Sequence, residues 1–442
     1  MISPGQQIVV IGGGLAGLAA ARQLQRAGMR VVVLERAAAV GGRARTEEVG
    51  GYRIELGAEF LASFYTRTLA LIDEVGLTSA LRPIPRSAAT LRDGQLHALW
   101  PNMRAAFTQL VGMRQKLPLS YLVGSLLRHA QRLDLHAFQK AQELDDCSVS
   151  AYARAHLSEE LLEYLLQPAL AGIFYWTPER TSRALLLITL RAGLAHPAGL
   201  RIFTLREGLG QLARTLAAQL DVRTNTEVLA VVPQAQGGYL VQAQRDGQAL
   251  SYAAAGVVVA TTASVVPQLL PWLRAEQRAF FAAIHYSATV NLAVGTRRRL
   301  PNDLYGLLFP RRETPFLASA TLQTVKEGRF APRGRDLICL HMSGPASVAL
   351  REYDDATLSR VMLSELRRLV PQYDPTPHAE FQRVYRCAEA LPEFDVGTFR
   401  RMANFFRGGI EVPNLVFAGD YLGGPFVEGA ITSGEQAAQR LL

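Results

Sequence analysis

Cysteine is scarce in this chain: Cys147, Cys339 and Cys387 are its only three, far apart and odd in number. That excludes a disulfide framework. With no Cys-x-x-Cys and no ligand-like spacing among the eight histidines, no metal site is expected either. Lysine is rare as well, so the formal net charge of +9 is carried by arginine, clustered at Arg297-Arg298-Arg299, Arg311-Arg312, Arg367-Arg368 and Arg400-Arg401. Such a balance suits a solvated basic surface, an anionic membrane surface or an acidic substrate. No nucleic-acid-binding motif accompanies it, so nucleic acid is not expected as a partner. No uninterrupted apolar run reaches the roughly 18 residues of a membrane span, and no charged segment precedes a cleavable apolar run at the N-terminus. A reducing, cytoplasmic compartment is expected, with peripheral membrane contact left open.

What is present is a long apolar chain: 442 residues, 49% of them hydrophobic. At roughly 100–200 residues per domain, that allows two or three domains. Near the start stands IVVIGGGLAGLAAARQLQRAGMRVVVLER. Ile8 to Ile11 is short, apolar and β-branched, which predicts a buried parallel strand. Gly12, Gly14 and Gly17 follow as G-x-G-x-x-G. Leu15 to Ala27 has helical spacing, Gly28 predicts the helix end, and Met29 to Leu34 predicts a second buried strand. This is one βαβ unit.

Each residue of the turn has a physical task. Gly12 permits the tight turn, Gly14 lets backbone approach a pyrophosphate, and Gly17 lets helix pack on sheet. The first helical residues, Leu15 and Ala16, present N–H groups and the positive helix end to phosphate. Glu35, 18 residues after Gly17 and followed by Arg36, is placed to accept hydrogen bonds from ribose hydroxyls; an acid there argues against a 2′-phosphate.

After Glu35 the chain reads RAAAVGGRARTEEVGGYRIELGAEFL. Gly41-Gly42-Arg43-Ala44, and then Glu55, Gly57, Ala58 and Glu59, resemble the FAD signature of the flavin amine oxidase superfamily. That superfamily includes monoamine oxidases, protoporphyrinogen oxidases and phytoene-type desaturases. A third matching block, NLVFAGDYLGGPFVEGAITSGEQAAQRLL, ends the chain. The resemblance places Gly419-Asp420 near the ribityl and pyrophosphate, and the start of the last helix, Val427 to Ala430, at the flavin's pyrimidine end. Val228, in VRTNTEVLAVV, falls where the superfamily cradles adenine. GVVVATTASVVPQLLP resembles its V-V-x-A-x-P turn, with Thr262 in place of the proline. The resemblance implies FAD, held non-covalently because the final block has no cysteine.

The implied fold is α/β. A discontinuous, Rossmann-like FAD-binding domain of the GR2 type (1–84, 206–264 and 405–442) is joined to a mixed α+β substrate-binding domain (85–205 and 265–404). The first insert reads as helical: FTQLVGMRQKLPLSYLVGSLLRHAQRL is broken at Pro118, and SVSAYARAHLSEELLEYLLQPALAGIF opens with Ser148 as an N-cap. The second insert mixes strands (HYSATVNLAVGT, RDLICLHMSG) with an amphipathic helix (DATLSRVMLSELRRLV), as a sheet roofing the flavin.

The superfamily transfers hydride from a substrate carbon to flavin N5, with dioxygen the usual final acceptor. QPALAGIFYWTPERTS and YRCAEALPEFDVG resemble the protoporphyrinogen oxidase branch, and AGDY with VEGAITSG leans towards phytoene desaturases. Both imply a bulky hydrophobic substrate. The alternative is an amine oxidase acting on a smaller amine. Against it, IHYSATVNLAV lacks the lysine that branch carries near the flavin. A flavoprotein without turnover is a third reading. Pocket candidates are Phe426, Tyr421 and Tyr175, together with Phe174, Trp176 and Phe316; ordinary core packing accounts for any one of them equally well. Lys326, in TVKEGRF, reads as a surface residue.

Overall fold

The run IVVI becomes the centre of a five-stranded parallel sheet. Its strands lie in the order Asp221–Arg223, Arg30–Leu34, Gln7–Ile11, Gly256–Val259 and Leu415–Phe417. All neighbours are parallel, with Ile8 opposite Val31 on one side and Gly256 on the other. The strands are continuously apolar because both faces are covered. Ile8, Val10, Val33 and Val258 face one layer with Ala20, Leu24 and Leu441. Val9, Ile11, Val32, Leu34, Val257 and Val259 face another with Phe281 and Phe417. Ile8, Val9 and Val10 are fully buried, and each contributes on the order of 1.5–3 kcal/mol. The computed structural model describes residues 2–85, 88–99, 109–195, 200–301, 303–408 and 412–442.

The first layer consists of helices Leu15–Arg26 and Val427–Leu441. The former ends where the sequence predicts. Gly28 takes φ +83°, donating to Gln25 O at 3.0 Å, while Met29 N–H reaches Leu24 O at 3.1 Å. That is the paired hydrogen bonding of a Schellman end. On the opposite face lies an antiparallel ribbon of Thr226–Pro233, Tyr239–Arg245 and Gln248–Ala254, with helix Ala275–Ala282.

The second sheet is mixed and seven-stranded. Its order is Ala379–Pro392, Tyr286–Thr296, Asp336–Met342, Leu317–Leu322, Gly306–Leu308, Ala88–Arg92, Gln95–Leu99. HYSATVNLAVGT and RDLICLHMSG are strands, as read. Helix Asp355–Leu369 covers one face with Leu358, Met362, Leu366 and Leu369, and Asp354 caps it by accepting from Thr357 N–H at 2.7 Å. The expectation of a helical first insert needs correction. Residues 88–92 and 95–99 form a hairpin that extends this sheet, and Ile202–Leu205 pairs with Leu61–Ala62 and Leu81–Ile84. A tight turn at Asp93-Gly94, both with positive φ, makes the hairpin possible.

Most of the other described residues of that insert are helical. Leu119–Arg128 begins after Pro118, which separates it from the short helix Met113–Lys116. Phe107 and Thr108, which open that predicted helical stretch, lie outside the described residues. Ser148 caps Val149–His156, its hydroxyl accepting from Ala151 N–H at 3.2 Å.

Candidate functional site

The turn after the first strand is open on one side and tightly packed on the other. Gly12 has φ +108°, and a Cβ there would press on Ala260 O at 2.6 Å; a Cβ on Gly17 would collide with Gly12 O. A Cβ on Gly14, by contrast, would meet nothing within 4 Å. The sequence thus packs helix onto turn through Gly12 and Gly17 while Gly14 borders open space. Leu15, Ala16 and Gly17 form the helix's first turn, which carries neither a side-chain cap nor an acid. Such an end attracts an anion.

Around this turn the other predicted residues converge. Gly41 N–H donates to Gly13 O at 2.8 Å, and Gly42 lies beside Gly14. Glu35 accepts from Gly13 N–H at 2.6 Å and from Ala37 N–H at 2.7 Å. Each carboxylate oxygen retains a lone pair for a hydroxyl. Thr226 N–H donates to Glu35 O at 2.8 Å, which brings Val228, at a bulge, to the same edge. Arg36 does not converge: its side chain is exposed, 3.9 Å from Glu227.

Arg43 ties the two sheets together. It donates to Asp420 at 2.8 Å and to Ala390 O at 3.1 Å, and lies over the Tyr286 ring. Asp420 is buried. Gly419 N–H donates to Ser433 Oγ at 3.0 Å, fixing the final turn against the last helix. Gly57 runs so close to Arg43 O that a side chain there would collide, and Ala58 N–H donates to that oxygen at 2.8 Å. Backbone contacts thus join Gly14 to Gly41-Gly42, and Arg43 to Ala58 and Asp420, beside the open space at Gly14. These residues fit a dinucleotide: an uncapped helix end for phosphate, an acid for ribose, and no side chain at the closest approach.

Phe426 precedes the last helix, which starts at Val427 without a side-chain cap and runs through Ala430. Its ring meets Phe174 at 5.7 Å, Tyr65 at 6.0 Å and Phe64 at 6.5 Å; the Phe174 and Phe64 contacts are edge to face. Phe174 stacks on buried Trp176 at 4.6 Å. Tyr175, at φ +61°, turns away from them and hydrogen-bonds His341 Nδ1 at 3.1 Å. Tyr421 is buried in the core beside Phe281 and Phe417, and Phe316 is exposed.

Lys326 is not on the surface. It is fully buried, with Nζ 3.1 Å from Glu59 and 3.5 Å from Glu55. Glu55 also accepts from Thr46 Oγ1 at 2.6 Å and Leu209 N–H at 2.9 Å. Gln323 donates to Glu59 at 3.1 Å and to Thr321 Oγ1 at 2.9 Å, and Thr321 reaches His341 Nε2 at 3.2 Å. A buried polar chain thus links Lys326 and Glu59 to Tyr175. Burial pushes Glu59 up, but Lys326, His341 and Gln323 outweigh it, so the carboxyl stays below its ordinary value. Burial pushes Glu55 up, and Lys326 and Thr46 offset this only in part. Lys326 is pulled down by burial, and Glu59 and Glu55 outweigh that, holding it above its ordinary value. His341 is lowered by burial, with Glu59 opposing and Lys326 adding to it.

Glu428 is a second residue the sequence reading missed. It is fully buried and accepts from Arg67 N–H and Thr68 N–H at 2.9 Å, Thr68 Oγ1 at 2.7 Å and His136 Nε2 at 2.7 Å. It caps helix Thr66–Glu74 from a distant part of the chain.

The model of the flavin containing amine oxidoreductases matches residues 15–442. Protoporphyrinogen oxidase of Bos taurus is 27% identical over 99% of this chain and 98% of its own length. Coproporphyrinogen III oxidase of Bacillus subtilis is 21% identical over 96% and 94%. Putrescine oxidase of Kocuria rosea is 34% identical over 35% of this chain, a match that spans 32% of that enzyme. Among solved structures, a provisionally named protoporphyrinogen oxidase from Exiguobacterium sp. 255-15 superposes with a TM-score of 0.77, at 21% identity over 100% of this chain and 99% of that one. Putrescine oxidase bound to putrescine superposes with a TM-score of 0.79, at 18% identity over 99% of each chain. The chain belongs to the flavin containing amine oxidoreductases and is an FAD-dependent oxidoreductase.

Proposed function

We propose that the chain oxidises or desaturates a bulky hydrophobic substrate, resembling a porphyrinogen or an acyclic carotenoid precursor, with dioxygen as the final acceptor. The carrying observation is that sequence similarity to porphyrinogen oxidases runs the length of the chain, whereas the sequence match to putrescine oxidase covers 35% of it; in fold the chain superposes on both over nearly its whole length. FAD supplies the hydride-accepting chemistry when bound. It is held non-covalently by a domain of residues 1–84, 206–264 and 405–442; residues 85–205 and 265–404 form the substrate-binding domain. In support, the parallel sheet draws strands from each of the first three segments.

On this reading, Gly12, Gly14, Leu15, Ala16 and Gly17 bind the pyrophosphate, and Glu35 orients ribose. Val228 borders the adenine. Gly41, Gly42, Arg43, Gly57, Ala58, Gly419 and Asp420 border the dinucleotide, and the helix start from Val427 to Ala430 stabilises negative charge at its far end. Phe426, Phe174 and Phe64 exclude water and position an apolar substrate. Tyr175 and Glu59, joined through His341, Thr321 and Gln323, form a buried polar chain apart from that wall. An amine oxidase is the second reading, and the putrescine oxidase likeness is what favours it. Strand Tyr286–Thr296 carries no lysine, and Phe174 and Phe64 meet Phe426 edge to face rather than as two parallel walls. Oxygen uptake with a porphyrinogen, an acyclic polyene and a panel of amines tests the reading. Uptake with either of the first two supports it, and uptake with amines alone overturns it.

A further inference from the structure

The seven-stranded sheet has two unlike faces. On one, Val290, Leu292, Ile338, Leu340 and Met342 pack with helix Asp355–Leu369. On the other, Ala293 and Cys339 pack on Tyr52 and Ile54, in the hairpin that leads into Gly57, Ala58 and Glu59. Strand alternation puts Thr289, Asn291 and His341 on this second face, with Thr321 opposite Cys339 and Asn291 opposite His341. Thr289 and His341 are buried, and Asn291 is only 9% exposed. Polar side chains so placed need partners, and their hydrogens can be assigned one by one.

Glu59 sets the direction. An ionised carboxylate only accepts, so Gln323 turns its Nε2 towards it, at 3.1 Å, and the same Nε2 donates to Thr321 Oγ1 at 2.9 Å. Thr321 then has its own hydrogen to give to His341 Nε2, at 3.2 Å. In the uncharged ring, which burial favours, that leaves the N–H at Nδ1. Nδ1 donates to Asn291 Oδ1 at 3.2 Å, and Thr289 Oγ1 donates to the same oxygen at 2.8 Å. The network therefore assigns both the ring tautomer and the amide orientation. One hydrogen of Asn291 Nδ2 can turn to the Tyr175 oxygen; among the described residues no hydrogen bond takes up the other. The Tyr175 hydroxyl lies 3.1 Å from Nδ1 but cannot donate to it, because Nδ1 is itself a donor. The half-buried Tyr175 end of the network is thus rich in donors, with hydrogens left for an acceptor outside the chain.

This end adjoins the aromatic wall. Phe174 meets Phe426, and the next residue, Tyr175, is turned by its φ of +61° to His341. Ser287, on the strand of Thr289 and Asn291, donates to Phe174 O at 3.4 Å. A substrate lying against Phe174 and Phe426 brings its edge to Tyr175. An edge without an acceptor would strip water from these donors and leave them unsatisfied, whereas an oxygen would satisfy them.

We propose that Tyr175 and Asn291 determine specificity by donating hydrogen bonds to an oxygen acceptor on the substrate, a carboxylate or a carbonyl, so that a substrate bearing one is taken in preference to an analogue of the same shape without it. The inference rests on the substrate reading above and deepens it: the aromatic wall recognises bulk, and these donors recognise one polar group.

Anaerobic flavin reduction by two matched sets of donors tests it. The first is a porphyrinogen with carboxylate side chains, its methyl ester and an analogue with alkyl side chains only; the second is a polyene carboxylic acid, its methyl ester and the parent hydrocarbon. In the set that reduces the flavin, wild type is expected to show a second-order rate constant about tenfold or more higher for an oxygen-bearing member than for the member without oxygen. Equal rates for acid and ester assign the acceptor to a carbonyl, and preference for the acid alone assigns it to a carboxylate. Asn291→Leu is expected to narrow the preference about tenfold, through the apparent Kd rather than the limiting rate. Tyr175→Phe keeps the ring, is expected to narrow it about fivefold, and decides the matter if Asn291→Leu does not load flavin. A merely structural loss would lower all rates in a set alike and leave their ratio unmoved. Equal rates across each set in wild type, or a ratio that neither variant moves, overturn the inference and leave the substrate reading standing. Asn291→Leu that weakens flavin binding while the ratio stays put assigns the amide to the flavin and also overturns it. Reduction by amines alone overturns the substrate reading, and the inference with it.

Discussion

Replacing Lys326 by methionine keeps the side chain's length and removes its charge. Glu59 and Glu55 would then share a buried site without the ammonium that lies 3.1 and 3.5 Å from them. Breaking a buried pair by removing one partner costs about 3–5 kcal/mol, because the remaining charge is left uncompensated. The pH dependence carries the sharper test. In the folded protein Glu59 is held below its ordinary value. Its pairing therefore contributes stability above the unfolded carboxylate's pKa, and that contribution is lost as pH falls through the folded value. Lys326 is held above its ordinary value, so its contribution is full below the unfolded amine's pKa and is lost only as pH rises through the folded one. In the variant, burial still pushes Glu59 up and only His341 and the Gln323 hydrogen bond oppose it, so acid neutralises the orphaned charge. The deficit relative to wild type is thus largest at about pH 7.5 and shrinks towards about pH 5. Urea unfolding of the flavin-loaded proteins, followed by far-ultraviolet circular dichroism and tryptophan fluorescence with coincident transitions, measures it. Adding Glu59→Gln to Lys326→Met is expected to recover roughly 1–3 kcal/mol. A deficit under about 1 kcal/mol, or one equal at both pH values, would refute the reasoning.

Other outcomes follow from the same geometry. Gly14→Val is expected to fold with a wild-type circular dichroism spectrum yet purify colourless, because its side chain enters the open space; Gly17→Val is expected to misfold, because its side chain collides with Gly12 O. Asp420→Asn, which weakens a 2.8 Å bond to Arg43, is expected to raise the Kd for FAD about tenfold, read by flavin fluorescence. Glu428→Gln is expected to cost about 1–3 kcal/mol. Glu428 is held below its ordinary value, since His136, Thr68 and the backbone N–H groups outweigh burial; its stabilisation is therefore present above the unfolded carboxylate pKa and fades as pH falls through the folded value. Heat precipitation should leave the yellow colour in the supernatant, and colour in the pellet would contradict non-covalent binding.

The parts of the molecule legible in the sequence are those whose causes are local. Ile8–Ile11, the glycine turn and the helix to Arg26 form one continuous piece, and the end at Gly28 needs only a residue that tolerates positive φ. The hairpin of 88–92 and 95–99 is marked locally by its Asp93-Gly94 turn; what lies beyond local reading is the parallel pairing of its first strand with Gly306–Leu308, more than two hundred residues away. Lys326 shows the limit most plainly. In TVKEGRF nothing separates it from a solvated lysine, and its partners lie 267 and 271 residues earlier. Glu428 sat inside a recognised block, but its partners Thr68 and His136 are about as distant. Arg36 and Tyr421 illustrate the converse. Each flanks a motif residue, yet one side chain points to solvent and the other into the core.

The central claim is that this flavoenzyme takes reducing equivalents from a large apolar substrate. The most direct measurement is an anaerobic titration of the flavin-loaded protein, following the flavin absorbance as a porphyrinogen, an acyclic carotenoid precursor and a series of amines are added in turn. The account predicts bleaching by a porphyrinogen or a polyene and none by the amines. Bleaching by amines alone, or by no donor while dithionite still reduces the flavin, would contradict it.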